Sequence, residues 1–189
     1  MEYQRSQHRP IQPKDWTLNA ISTDIIALNE QWRANRLKNY TGYYTTESAT
    51  TTSNINSSIL IKTKHKHKLI KNDAENCVAI HIQNHNTIVI NIYIRPLSSK
   101  QNNDHVRRVI DLINRLSHEY PTDILVVLGD FNRNTLIHWL LRDLGFNDAM
   151  IPGSHKNHDR PDHLKQLQHM YYKNYSTPSI DLIQWSLRL

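Results

Sequence analysis

Apolar residues follow two different periods along the chain, and the changes of period divide it into strand-like and helix-like segments. Six short runs rich in β-branched residues predict strands. These runs cover residues 24–30, 58–62, 77–83, 87–94, 124–128 and 180–185. The turn at 84–86, Asn-His-Asn, predicts a hairpin between two of them. The stretch 40–58 is crowded with Thr, Ser and Asn and predicts an irregular surface segment.

A helical period covers residues 103–119, where the apolar side chains fall on one face and Pro121 follows. A second helix is predicted at 135–144, with Gly145 just beyond its C-terminus. A third, shorter helix is predicted before Asp24. Strands that alternate with helices favour an α/β or α+β architecture over a bundle or a pure β-sandwich.

The composition fits one soluble domain of 189 residues. A net charge of +6 with twelve further histidines favours an anionic partner such as nucleic acid, although many basic proteins bind none. Cys77 is the only cysteine, which excludes an intramolecular disulfide, and its apolar neighbours predict a buried strand residue. No apolar run approaches the roughly 18 residues of a membrane span, and residues 1–13 lack the apolar stretch of a signal peptide. We therefore expect an intracellular protein that is not secreted.

The segment with the clearest chemical content is an apolar strand that ends in Gly129-Asp130-Phe131-Asn132. A rigid strand fixes a carboxylate at its end while the following loop leaves it open to a cleft. This arrangement favours a functional site. The alternative is an Asp-Asn turn that satisfies only its own backbone.

With this motif the sequence resembles the endonuclease/exonuclease/phosphatase family. Three further segments agree with the family in chain order. They are Asp24 to Trp32, which contains Glu30, Asn91 to Pro96, which contains Tyr93, and Ser176 to Leu182, which contains Asp181. The amino-acid sequence of these segments is most similar to that of the endonuclease domains of non-long-terminal-repeat retrotransposons, and the similarity covers roughly residues 13–187.

The resemblance implies a DNase I-like α+β sandwich, in which two packed mixed β-sheets are flanked by helices in four layers. The family domain would occupy residues 13–189 after a polar tail, 1–12, and would lack the first and last strands of the family. The last strand normally carries a Ser-Asp-His motif. Asp162-His163 resembles part of this motif but comes before Asp181 in the sequence. His155, His158 and His169 are further candidates for the histidine of the motif.

The resemblance also implies roles for five residues in phosphodiester hydrolysis. Glu30 would bind Mg²⁺ or Mn²⁺, and Asp130 would orient or deprotonate the attacking water. Asn132 and Tyr93 would donate hydrogen bonds to the phosphate, and Asp181 would fix a histidine or a metal-bound water. The alternatives are a solvated acid for Glu30, a core aromatic for Tyr93 and a capping residue for Asp181.

Three cations are candidates for contact with the nucleic-acid backbone: Arg95, Lys66 and Lys68. Lys66 and Lys68 alternate with His65 and His67, so both histidines would share one strand face, where they could ligate a metal. An ordinary solvated loop is the alternative for this stretch.

The resemblance, together with the basic charge, implies a magnesium-dependent endonuclease that nicks DNA. A second hypothesis is a catalytically degenerate module that binds nucleic acid or protein, or an inactive mobile-element remnant. A third, a phosphatase of the same family acting on a lipid or small phosphate ester, is disfavoured by the basic charge. We expect DNA as a partner, no membrane association, and a protein partner or second copy that covers exposed sheet edges. A mobile-element product would be nuclear.

Overall fold

The structure, a computed structural model, describes residues 23–31, 38–46, 55–95, 99–132, 135–148, 168–173 and 183–186. The strands in these ranges are β1 (Ile25–Gln31), β2 (Tyr40–Thr46), β3 (Ile55–Lys62), β4 (His67–Ile70), β5 (Cys77–Ile82), β6 (Thr87–Tyr93), β7 (Ile124–Asp130), β8 (Asn147–Asp148), β9 (Gln168–Lys173) and β10 (Ile183–Ser186). The helices are α1 (Ser99–Glu119) and α2 (Thr135–Asp143), and a 3-10 turn covers Gln83–His85.

The strands form two mixed sheets. The smaller sheet has the order β10-β1-β3-β2, and the larger has the order β4-β5-β6-β7-β9-β8. Strand β6 runs parallel to β7 and β1 runs parallel to β10, while the other neighbours are antiparallel. The predicted hairpin joins β5 to β6 and turns through Asn86, which has a φ of 45°.

The two sheets pack face to face around an apolar core, because alternate residues of each strand point to the same side. Ile25 and Ala27 of β1 meet residues of the larger sheet such as Val89 and Leu128. The opposite face of the larger sheet packs against α1 and α2, whose apolar stripes lie where the helical period placed them. The predicted two-sheet sandwich flanked by helices is therefore confirmed.

The prediction of an irregular segment was wrong for part of the stretch 40–58. The stretch 40–58 was expected to be irregular, but β2 occupies Tyr40–Thr46 and β3 begins at Ile55. Strand β2 is at the edge of the smaller sheet and only half-buried. An edge strand needs fewer apolar residues, so polar composition concealed it.

Other predictions differ from the structure at their boundaries. Helix α1 begins at Ser99 rather than at residue 103, and the last predicted strand is β10, Ile183–Ser186. The short strands β4, β8 and β9 were not predicted. The helix expected before Asp24 and the polar tail 1–12 lie outside the described residues. Neither helix in the described ranges is long and apolar enough to cross a membrane.

Candidate active site

The last residues of β6 and β7 bring two of the predicted site residues together. These strands are parallel, and their register pairs Tyr93 with Asp130. Both residues are almost buried, with exposed fractions of 6% and 3%. The Ile94 N–H donates to the Asp130 carbonyl over 2.9 Å, so the pairing continues past the end of β6. Strand pairing thus fixes the position of Asp130 relative to Tyr93.

Gly129 permits this close approach of β7 to β6. A Cβ atom at Gly129 would lie 2.0 Å from the carbonyl oxygen of Ile92, and its φ of +154° is rare for other residues. No side chain fits there unless the backbone moves. The glycine of the motif therefore serves the strand pairing that positions Asp130.

The motif ends in a tight turn. The Asn132 backbone N–H donates to Asp130 Oδ1 over 3.0 Å, and Asn132 itself has a φ of 44°. Its side-chain Nδ2 donates to the Ile94 carbonyl over 2.6 Å. The turn that the sequence offered as an alternative to a functional site is therefore present. It also holds the Asp130 carboxylate in one orientation.

A chain of hydrogen bonds joins this turn to the smaller sheet. Ser57 Oγ donates its single hydrogen to the Asn76 carbonyl over 2.9 Å, so it accepts from the Asn29 amide, also at 2.9 Å. In that orientation the Asn29 Oδ1 accepts from the Asp130 backbone N–H over 3.1 Å. The Asn76 carbonyl accepts from Tyr93 N as well, over 2.9 Å. Residues from β1, β3, β6 and β7, together with Asn76 in the turn before β5, therefore form one polar network.

Asn91 links the two sheets at the same level. Its side chain is fully buried, and Nδ2 donates to the carbonyls of Leu28 and Ser58 over 3.0 Å and 2.9 Å. Because Asn91 precedes Tyr93 by two residues, both side chains point to the same side of the larger sheet. Asn91 holds β1 and β3 against β6 where the site is formed.

Sequence reasoning missed Asn29, Ser57, Asn76 and Asn91. Asn29 directly precedes Glu30, and Asn91 has the two-residue spacing to Tyr93 that marks a shared strand face. That spacing was a usable signal for Asn91. No comparable pattern identified Ser57 or Asn76, because their roles depend on contacts between separate strands.

Other predicted residues are described only in part or not at all. Glu30 belongs to β1 and follows Asn29, but its side chain lies outside the described part. Asp181 also lies outside it. Strand β10 begins at Ile183, which pairs with Ile25 at the start of β1 and not with its end. The Asp162-His163 pair and the side chain of His169 are not described either.

The three predicted phosphate-contacting cations are not together. Arg95 follows Ile94 and is half-buried at the strand-end site. Lys66 and Lys68 lie at the opposite end of the sandwich, because the Lys66 carbonyl accepts from Gln83 N, beyond the last residue of β5. Six residues of β6 separate the two ends, which is roughly 20 Å.

The predicted pairing of His65 and His67 on one strand face was wrong. His65 precedes β4 and is buried, and its Nε2 lies 3.0 Å from Asp24 Oδ2. His67 Nδ1 instead contacts the His65 carbonyl. Among the described residues no group of three or more His, Cys, Asp or Glu side chains is close enough to hold a metal ion.

The polar groups at the strand ends are nevertheless of the kind that coordinate a hard cation. They consist of oxygen and amide groups, and the Asn91 Oδ1 is buried there without a hydrogen-bond partner among the described residues. Mg²⁺ prefers carboxylate and amide oxygens and retains several waters. Among the described side chains at these strand ends, Asp130 supplies the carboxylate.

Comparisons with known proteins bear on the fold. No family model matches the chain, and no curated protein matches it. Solved structures do match. The catalytic domain of human Nocturnin superposes with a TM-score of 0.55 at 12% identity, over 79% of this chain and 68% of that one. The endonuclease domain of TRAS1, a telomere-specific non-LTR retrotransposon, gives 0.54 at 13% identity, over 78% of this chain and 72% of that one. The chain has a DNase I-like fold.

A third match is a 3'-5' exonuclease from Neisseria meningitidis, with a TM-score of 0.53 at 15% identity, over 79% of this chain and 76% of that one. These matches confirm the resemblance to the endonuclease/exonuclease/phosphatase family at the level of fold. A fold of this kind does not by itself fix the reaction. The substrate must be argued from the site.

Proposed function

We propose that this DNase I-like chain is a metal-dependent phosphodiesterase that nicks DNA, of the type found in endonuclease domains of non-LTR retrotransposons. The observation that carries the proposal is the register pair Tyr93 and Asp130, connected through Asn29 to the strand that contains Glu30. Tyr93 and Asp130 end parallel strands, so the proposal brings carboxylate, amide and phenol groups together there. Hydrolysis of a phosphodiester requires this combination of a base, hydrogen-bond donors and oxygen ligands.

In this proposal Asp130 orients or deprotonates the attacking water. The Asn132 N–H and the Asn29 amide hold the carboxylate and the backbone of Asp130 in place, so little reorganisation is needed during reaction. Tyr93 and Asn132 donate to the substrate phosphate. Asp181 retains its predicted role as an accessory carboxylate.

Glu30 and Asp130 would hold Mg²⁺ or Mn²⁺, which when bound neutralises charge that develops on the phosphate oxygens. Arg95 lies at the same end of the sandwich and would contact a substrate phosphate beside the cleaved bond. The net charge of +6 favours nucleic acid over a small ester as the substrate.

The test is nicking of supercoiled plasmid by the purified chain, with Mg²⁺ or with EDTA. Asp130→Asn is the informative variant, since the amide keeps the size of the side chain and an oxygen that accepts from Asn132 N. We expect a rate loss of about 10²-fold or more with a normal unfolding curve. The matched control is Asp111→Asn, an exposed acid on α1, with an unchanged rate. Absence of nicking by folded parent protein would overturn the proposal.

A binding module without turnover is the second candidate. It is favoured by the hydrogen bonds within the 130–132 turn, where Asn132 Nδ2 already donates to the Ile94 carbonyl. In that case DNA binding would be salt-sensitive, would persist in EDTA and in Asp130→Asn, and would not be accompanied by nicking. Release of inorganic phosphate from small esters would instead support a phosphatase.

A further inference from the structure

The end of the sandwich opposite Asp130 carries a concentration of positive charge. We define the distal basic surface as the six residues Lys62, Lys64, Lys66, His67, Lys68 and His85. The first five come from the end of β3, the following turn and the start of β4, and His85 comes from the β5–β6 turn. Lys64 is 61% exposed, and Lys66, Lys68 and His85 are exposed as well.

Acidic residues at this end offset only part of that charge, and the exposed acid close to Lys68, Glu119, lies 3.5 Å from Arg115. Asp24 is 8% exposed, and its carboxylate lies 2.8 Å from Lys62 Nζ and 2.7 Å from Lys64 Nζ. Asp123 is equally buried and lies 2.8 Å from His81 Nε2. Both carboxylates are therefore directed into the protein. Lys66 and Lys68 stay exposed beyond them.

The turn is held in one conformation. The Lys66 carbonyl accepts from Gln83 N over 2.8 Å, and the buried His65 contacts His85, with Nδ1 and Nε2 3.1 Å apart. His67 Nδ1 lies 2.6 Å from the His65 carbonyl. A turn that is already ordered loses little conformational entropy when it binds a ligand. The lysines are thus presented on a preformed surface.

We propose that the distal basic surface is a second binding surface for the nucleic-acid backbone, separate from the strand-end site. Exposed lysines attract phosphates without reading sequence. A lipid surface is less suitable, because interfacial binding also needs a sizeable apolar face. Within the described part of the chain, Leu69 is the only large apolar side chain exposed at this end.

This surface goes beyond the proposed nuclease activity, since roughly 20 Å of sheet separates it from Asp130. A single phosphate cannot contact both places. The surface would hold a different segment of nucleic acid from the one at the strand ends. Its binding therefore does not require the chemistry proposed for Asp130, Glu30 or a metal.

The test compares three forms of the chain with a fluorescent 20-base-pair duplex over a series of salt concentrations in EDTA. The first is the parent, and the second carries Lys64→Gln, Lys66→Gln and Lys68→Gln. The third, the matched control, loses three exposed arginines of the helices through Arg107→Gln, Arg108→Gln and Arg142→Gln. Both triple variants lower the net charge equally. Only their positions differ.

We expect the lysine variant to bind about tenfold more weakly at low salt, with the slope of log affinity against log salt reduced by about 2 to 3. The arginine control should remain within about twofold of the parent. Equal effects of the two triple variants, or no effect of the lysine changes, would overturn the proposal. Lys66→Glu provides a single exposed change that leaves the fold intact if the triple variant does not fold.

Two further measurements separate the alternatives. Loss of binding to phosphatidylserine vesicles in the lysine variant, with duplex binding unchanged, would assign the surface to lipid and overturn the proposal. Plasmid nicking distinguishes this inference from the proposed function. A parent that binds through the lysines but never nicks would refute the nuclease alone, whereas nicking with lysine-independent binding would refute the second surface alone.

Discussion

The backbone N–H of Asp130 donates to the side-chain Oδ1 of Asn29 over 3.1 Å. The two residues belong to different sheets, so this hydrogen bond joins the ends of β7 and β1 where the candidate site is formed. Asn29 is also the neighbour of Glu30 in the sequence. The bond therefore relates the backbone of one proposed catalytic carboxylate to the strand that carries the other.

Asn29→Ala should destabilise the chain by about 1 to 3 kcal/mol, because the Asp130 N–H and Ser57 Oγ each lose a buried partner. Urea unfolding followed by circular dichroism measures the change. The control is Asn103→Ala, an exposed residue of α1 that should change stability by less than about 0.5 kcal/mol. Equal effects of the two substitutions would show that the Asn29 amide does not hold the sheets together.

Two glycines with positive φ allow a matched test of the Gly129 contact. In Gly129→Ala the new Cβ would meet the Ile92 carbonyl at 2.0 Å, so the end of β7 must separate from β6. We expect a loss of about 3 kcal/mol or more, or failure to fold. In Gly145→Ala the nearest atom is the flexible Lys173 Cε at 3.9 Å, and only a backbone penalty of about 1 kcal/mol remains. Thermal unfolding compares the two variants, and similar melting temperatures would contradict the steric argument.

The parts of the fold that sequence reasoning predicted correctly are those with strong local patterns. Strand β7 is an unbroken apolar run that is buried on both faces, and α1 has a regular apolar stripe. Strand β9 was missed because only Met170 and Tyr171 among its described side chains are buried. Its conformation depends on pairing with β7, which no local pattern reveals.

The same limit applied to the candidate site. The motif identified Asp130 because a polar turn follows an apolar strand, and the resemblance placed Tyr93 beside it, as the register shows. The positions of Lys66 and Lys68 depend on the direction in which β3 crosses the sheet. The local sequence pattern does not reveal that direction. The role of Asn29 depends on its contacts with Ser57 and Asp130, which are distant in the sequence, so no local pattern identifies it. The position of each of these residues depends on contacts between strands that are distant in the sequence.

The single thiol offers a probe of the larger sheet. Cys77 is 3% exposed in β5, and burial raises the pKa of its thiol to about 12. Since only the thiolate reacts, native protein at pH 8 should be labelled by an aromatic disulfide reagent far more slowly than protein in urea. We expect a difference of at least about 10²-fold, measured by absorbance. Rapid stoichiometric labelling of the native protein would contradict the placement of β5 within the sheet.

The Asp24 carboxylate predicts a dependence of stability on pH. Burial by itself would raise the pKa of Asp24, but hydrogen bonds from Lys62, Lys64 and His65 outweigh it and hold the pKa well below its ordinary value. A carboxyl group whose pKa is lower in the folded chain than in the unfolded chain stabilises the fold fully above about pH 5. That contribution is lost as the pH falls from about 4 toward the folded-state pKa. Asp24→Asn should therefore lower the free energy of unfolding by about 2 to 3 kcal/mol at pH 7.

The difference between the parent and Asp24→Asn should decrease steadily between about pH 4 and pH 2, because the parent alone loses its ionised carboxylate there. Urea midpoints at half-unit pH intervals give this curve. Asp111→Asn, at an exposed position on α1, should track the parent at every pH. A difference for Asp24→Asn that stayed constant down to pH 2 would mean that the ion pairs with Lys62 and Lys64 do not stabilise the folded chain. The internal pairing that turns Asp24 away from solvent at the distal basic surface would then lose its support.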